Sequence, residues 1–314
     1  MQIKSLSIAL AALATPSIAG IVQGFSYGSM NTDGSCRRYD DFKYLFERAR
    51  NLHGASGFTA ARLYTSIQCG TSADYIEAYK AAIDTNTTIL VGLWASAGRH
   101  VFENELNALI GASRALKDDF TKRVVGISVG SEDLYRSSPQ GVINGEGPGC
   151  TADEIEGYIG WLRDWLKGTD LEHIPVTHVD TWTAWVLPEA SKVVKAVDFL
   201  CHNSFPYFED ARPNAIEKAA DNFWSAVSAT EGAAQGKDVW ITETGWPDTG
   251  PVRRDAVPSL DNAKTYWNTI GCSLFGKRST FWYTLVDGAK TTADLSFAIT
   301  PSTDESPKYN LACS

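Results

Sequence analysis

Several things are missing from this chain, and each gap removes a class of function. Neither GxGxxG nor GxxxxGK[ST] follows the first strand-like run, which sets aside the dinucleotide and P-loop readings. Only five histidines occur in 314 residues, with no HxH or HExxH. A zinc hydrolase would lack its ligand set, so no metal and no other cofactor is expected. The cysteines show no CxxC spacing, which argues against zinc knuckles and thioredoxin-type chemistry. An excess of positive charge is missing too. A formal net charge of −9 speaks against nucleic acid or an anionic membrane as partner, and a neutral substrate fits better. Beyond residue 20 no run approaches the length of a bilayer span, and Leu311-Ala312-Cys313-Ser314 is no hydrophobic tail, so no glycosylphosphatidylinositol anchor is expected. No low-complexity linker interrupts residues 21 to 314.

What is present begins with a leader. Met1-Gln2-Ile3-Lys4 is short and basic, Leu6 to Ala14 is apolar, and Ser17-Ile18-Ala19 supplies the small residues of a cleavage site. Residues 1–19 therefore read as a secretory signal peptide and residues 20–314 as the mature domain. Secretion permits disulfides, and six cysteines remain: Cys36, Cys69, Cys150, Cys201, Cys272 and Cys313. Pairing Cys272 with Cys313 would tie the C-terminal tail to the last long helix. Cys36 with Cys69 would join two early loops, leaving Cys150 with Cys201 by elimination. Asn86-Thr87-Thr88 is a candidate glycosylation sequon.

Along the mature chain, short β-rich runs alternate with helical stretches. The runs start at Gln23, Thr59, Ile89, Val124, Ile174, Val197, Val239 and Thr280. The clearest helix spans Thr151 to Lys167. Thr151 and Glu154 form a capping box, and Ile155, Tyr158, Ile159, Leu162 and Leu166 share one face. Eight apolar strands, each followed by a helix, predict a parallel sheet sheathed in helices, that is, a single α/β domain of the (β/α)8 TIM-barrel type.

In such a barrel, chemistry sits at the C-terminal strand ends. The fourth run, Val124 to Ser131, delivers Glu132, and the seventh, Val239 to Thr242, delivers Glu243. Carboxylates on two non-adjacent strands can face each other across the mouth, the arrangement that glycoside hydrolysis requires. Aromatic residues gather at the same predicted ends: Tyr27, Tyr64, Trp94, Tyr135, Trp182, Phe205, Tyr207, Trp246 and Trp282. Their faces suit the C–H side of sugar rings. His178, Asp180, His202 and Asn203 are further strand-end polar groups, expected to bond a sugar or the two carboxylates rather than a metal.

Val129-Gly-Ser-Glu-Asp-Leu-Tyr-Arg136 and Ile241-Thr-Glu-Thr-Gly-Trp-Pro247 resemble segments of glycoside hydrolase family 17, particularly its fungal secreted and cell-wall branch. Gln23 to Gly28, Ala61 to Tyr64, Val179 to Trp182, Asn203 to Phe208 and Leu260 to Lys264 also look like family segments, so the resemblance covers the mature chain. It implies a retaining β-1,3-glucanase, with Glu132 as acid/base and Glu243 as nucleophile. It further implies that Tyr27, Tyr64, Asp180, Asn203 and Tyr207 surround the sugar being cleaved. Two positions depart from the pattern. Ser131 stands where plant-type members carry Asn, and only Asp287 remains of an acidic cluster after strand eight; both are kept as candidate substrate contacts. The expected partner is β-1,3-glucan, acted on by a monomeric protein that is secreted or held in the cell wall. A glucanosyltransferase using the same residues is the alternative, and a non-catalytic wall-binding protein is a third reading.

Overall fold

A computed structural model describes residues 20–289, 295–301 and 306–313. The leader assigned to residues 1–19 lies outside these. All eight expected strands form: β1 (Gln23–Tyr27), β2 (Ala60–Leu63), β3 (Thr88–Leu93), β4 (Val124–Ser131), β5 (Val176–Thr181), β6 (Leu200–Asn203), β7 (Val239–Glu243) and β8 (Thr280–Trp282). Each pairs in parallel with its neighbour, and β8 returns to β1, closing the barrel.

The two-residue period of each strand sorts its side chains. Ala60, Leu90, Val179, Cys201, Trp240 and Phe281 belong to one small buried cluster, with Val22 and Phe199 from just before β1 and β6. With contributions from around the ring, that cluster fills the barrel interior. The alternate residues, such as Phe25, Ile89, Ile127 and Ile241, join a much larger core between the strands and the helices. The main helices of that layer are α1 (Tyr39–Arg50), α2 (Ala78–Asp84), α3 (Arg99–Thr121), α4 (Ala152–Leu166) and α5 (Ile216–Ala233). In α4 the expected capping box is made, and Ile155, Ile159, Leu162 and Leu166 are buried. No helix among the described residues is long and apolar enough to cross a membrane.

The last strand is shorter than expected. Tyr283 N still donates to Thr244 O beyond β7, but Thr284 and Leu285 turn their backbone to the segment returning across the barrel mouth: Thr284 receives the Ile299 amide and Leu285 the Thr300 amide.

Cys36–Cys69 and Cys272–Cys313 are bonded, each with Cα atoms 5.4 Å apart. The expected third pairing is wrong: Cys150 and Cys201 are free and buried. Cys201 points into the barrel while Cys150 packs in the outer layer, so the sheet separates them. Ellman's reagent should therefore find no rapidly reacting thiol in the native protein and two after unfolding in guanidinium; none after unfolding would restore the third bridge. Asn86 is exposed in the turn before β3, so a glycan there would hang from the end opposite the mouth.

Candidate active site

Both strands that deliver an acid are bulged just before it. Between Ser128 and Ser131, β4 spends three steps against two on β5. On β7, Ile241 pairs with His202 but Glu243 pairs with Asn203, two steps against one. A bulge re-aims the side chains beyond it. It breaks the alternation that would otherwise send Glu243 outward with Ile241.

At Glu132 the backbone is left-handed, with φ 60° and ψ 24°. For a residue with a Cβ this costs about 1–2 kcal/mol, so the surroundings must enforce it. The enforcement comes from β5. Glu132 N donates to Val179 O (2.8 Å). His178 Nδ1 meets Val129 O at 2.6 Å before the turn, and Asp180 Oδ2 accepts from Leu134 N at 2.8 Å after it. The His178 imidazole and the Asp180 carboxylate of this clamp are joined at 2.9 Å through Nε2 and Oδ2. Burial works against a charged His178, yet the Asp180 hydrogen bond and charge outweigh it, and its pKa is raised. Gly130 completes the turn with φ +76°; a Cβ there would lie 2.1 Å from Asp133 Oδ2. Only glycine fits.

The Glu132 carboxyl accepts from Asn203 Nδ2 at 3.0 Å, and Asn203 Oδ1 in turn accepts from Thr242 Oγ1 at 2.8 Å. Burial, then the charge of Glu243, pushes the Glu132 carboxyl up to about 7, with the Asn203 bond and Arg136 opposing. Near neutrality it can therefore hold a proton to give.

Glu243 has a different neighbour. Arg62, on β2, forms a salt bridge to Oε1, and its other terminal nitrogen reaches Ser131 Oγ at 2.8 Å. The guanidinium lies 4.7 Å from the Tyr64 ring centre. Burial disfavours the charge on Arg62, but Glu243 and Tyr64 overcome this and its pKa is raised. Burial first, and then the charge of Glu243, raises the hydroxyl pKa values of Tyr64 and Tyr283, so both phenols stay protonated beside that carboxylate.

Sequence reading overlooked Arg62 and Tyr283. Arg62 carried a usable signal, since it is the one charge inside the apolar strand AARL. A side chain 1% exposed must bring its counter-ion with it. Replacing Arg62 with Lys keeps the charge but cannot reach Glu243 and Ser131 together. We expect kcat/KM to fall by about a hundredfold, with KM little changed; steady-state kinetics on the substrate proposed below checks this.

Several expected contacts are corrected by burial. Asn203 bonds the Glu132 carboxyl, one of the two roles expected of it, but it and Asp180, which holds the Glu132 turn, are fully buried and not open to a sugar. His202 faces outward to Thr230 on α5 instead of toward the mouth, and burial pushes its pKa down to about 3. Tyr27, Tyr207, Trp246 and Trp282 are at most 2% exposed, so no ring face is free for a sugar. Trp282 packs on Trp267 and Tyr27 on Phe46. Tyr207 bonds Pro251 O and Trp246 bonds Val257 O, which makes both props for the β7 loop. Asp287 spends its carboxylate on Ser296 and Phe297 of the return segment. Ser131 is partly open but already holds Arg62.

What the structure leaves open at the mouth is a smaller set. Tyr64, Tyr135, Trp182, Phe205 and Tyr283 are partly exposed, and Trp94 is 52% exposed. Phe205 stands edge-on to Tyr283 at 5.5 Å, and Trp182 donates to Glu209 Oε1 at 2.7 Å.

Comparison with known proteins gives the following. Residues 24–296 match the family described as the BtgE/BtgC glycoside hydrolase domain. A probable glucan endo-1,3-beta-glucosidase of Aspergillus fumigatus is 48% identical over the full chain, which spans 70% of that relative's length. A glucan 1,3-beta-glucosidase of Saccharomyces cerevisiae is 28% identical, covering 80% of this chain and 75% of its own. Among solved structures, a glycoside hydrolase family 17 beta-1,3-glucanosyltransferase from Rhizomucor miehei aligns with TM-score 0.72 and 26% identity, over 92% of this chain and 96% of that one. An active-site mutant of the same enzyme has been solved with laminaritriose.

Proposed function

This chain belongs to the BtgE/BtgC glycoside hydrolase family, and from that premise we propose that it cleaves β-1,3-glucan with retention, using Glu243 and Glu132 in a double displacement. The observation that carries the reading is the asymmetry of the pair. One carboxyl, half-buried beside Asn203, is raised to about 7, while the other lies deeper against a guanidinium. Two acids in unlike environments are what this chemistry divides between acid and nucleophile.

In the first step Glu243 Oε attacks the anomeric carbon and the glycosidic bond breaks, its oxygen taking the proton from Glu132. In the second, Glu132, now a carboxylate, removes a proton from water, which displaces Glu243 and restores the original configuration. Arg62 holds the attacking carboxylate in place, and Asn203 orients the acid. Tyr64 and Tyr283 offer neutral hydroxyls to the sugar, while Trp94, Tyr135, Trp182 and Phe205 offer ring faces along the cleft. Two disulfides suit an oxidising compartment, consistent with secretion toward the cell wall.

Proton NMR of a laminari-oligosaccharide digest tests this. The β-anomer of the new reducing end should appear before mutarotation; an α-anomer appearing first, or no cleavage, overturns it. The family 17 glucanosyltransferase aligned over nearly its whole length keeps transfer as a second reading. Products longer than the input oligosaccharide support transfer, and their absence at millimolar substrate supports hydrolysis.

A further inference from the structure

Helix α3 buries an apolar stripe that includes Phe102, Leu106 and Leu109, with one carboxylate in its midst, Glu105, 1% exposed. Its hydrogen-bond donors are neutral groups of the loop after β2, at the barrel mouth. Thr65 Oγ1 bonds Oε1, and Ser66 N donates to Oε2 at 2.6 Å. The Ile67 amide donates to Thr65 Oγ1 at 3.0 Å, and with the Trp94 amide it also favours the charged form of Glu105. Ser66 is further tied to Tyr79 at 2.6 Å and to Gly92 O at 3.1 Å. Glu105 thus holds the loop after β2 against α3, the helix that continues from the loop after β3, while Ser66 ties the same loop to the end of β3. A glutamine replaces it imperfectly: its oxygen can still accept from Ser66 N, but its amide nitrogen would meet Thr65 Oγ1, whose hydroxyl would lose the carboxylate it donates to and have to accept instead. Burial pushes the Glu105 carboxyl up to about 7, with the Thr65 hydroxyl and the nearby backbone amides opposing.

The residues above this pin differ in how else they are held. Tyr64 has the buried Arg62 guanidinium against its ring. Trp94 is half exposed, with only a 3.0 Å bond from its indole to Ser96 besides. We infer that Glu105 is a positioning residue for extended glucan: by fixing the Trp94 loop against the Tyr64 loop it sets a ring platform that long chains reach and short ones do not. This rests on the glucan reading above. Glu105 itself does not meet the substrate.

The test measures kcat and KM for wild type, E105Q, W94A and the double variant. The substrates are laminarin and the shortest laminari-oligosaccharide that wild type cleaves. E105Q should raise KM for laminarin about tenfold with kcat little changed, and should move KM for the short substrate less than about twofold. In the W94A background it should add less than about twofold to either. A merely structural role lowers the folded fraction and scales both substrates alike. An unchanged laminarin-to-short ratio, or an E105Q effect that multiplies that of W94A, overturns the inference. Should E105Q not fold, T65V removes one donor only; a laminarin-selective rise of about threefold supports the inference and an even effect overturns it. A wild type that cleaves neither substrate overturns the glucan reading and this inference with it.

Discussion

Glu243→Gln lowers kcat/KM on laminarin by about four orders of magnitude or more, leaving a folded protein that still binds glucan. An amide oxygen is too poor a nucleophile to displace the leaving sugar, so the first covalent step is lost. The isosteric change leaves an acceptor near Arg62, which keeps the fold. The cost appears in kcat, because ground-state binding uses the rings and hydroxyls of the mouth. The sharper version replaces Glu243 with Ala and adds azide, with an aryl β-glucoside of a laminari-oligosaccharide as donor. Azide then takes the vacant place and attacks directly, giving the α-glycosyl azide by a single inversion. Recovery of the β-azide from this variant, or E243Q activity near that of wild type, would remove Glu243 from the nucleophile's role.

The stretch VWITETGWP shows how far the sequence could be read. Its first four residues are a barrel strand by composition alone, and Val239 to Glu243 form β7. That an acid closes it, with another acid closing β4, was legible because strand ends are where a barrel exposes its chemistry. The bulge that turns Glu243 toward Arg62 was not, since a bulge is a relation between two strands and leaves no local mark. Gly245 had a meaning that needed the fold: a Cβ there would stand 2.2 Å from Tyr283 O. Trp246 read as a sugar platform, and burial makes it a prop instead.

The same limit explains the other errors. Period-two alternation places Asp180 with His178 on the helix-facing side of β5, opposite Val179 inside the barrel. A list of polar residues near strand ends carries no such sidedness. Aromatic residues at strand ends divide the same way: Tyr27 faces the helices while Tyr64 leans on Arg62. Elimination assigned Cys150 to Cys201 only on the assumption that every cysteine pairs. A barrel interior accepts a thiol as a small hydrophobe, so the assumption had no force there.

For Glu132 the expected result is a change in pH dependence as well as in rate. If Glu132 donates a proton to the leaving oxygen, wild-type kcat/KM falls as pH rises through about 7, where burial and the charge of Glu243 have moved its carboxyl. Glu132→Gln should cost roughly 10²- to 10⁴-fold and abolish that basic limb. With a dinitrophenyl leaving group, which needs no acid, glycosylation survives in Glu132→Ala and azide intercepts the glycosyl-enzyme, giving the β-azide by two inversions. That is the opposite anomer from the Glu243 experiment, so the pair of products assigns both roles. Stability should move the other way. A carboxyl raised above its unfolded value binds more protons folded than unfolded between about pH 4.5 and 7, so its contribution is present at low pH and lost as pH rises through 7. Glu132→Gln has no charge to bury and escapes that loss. Its Tm should match wild type near pH 5 and exceed it at pH 8, while activity is lower at both. A basic limb that persists in the variant, or a Tm gap that does not grow with pH, would show that the proton is held elsewhere. Arg136, 3.7 Å from Oε2, would then be keeping Glu132 ionised.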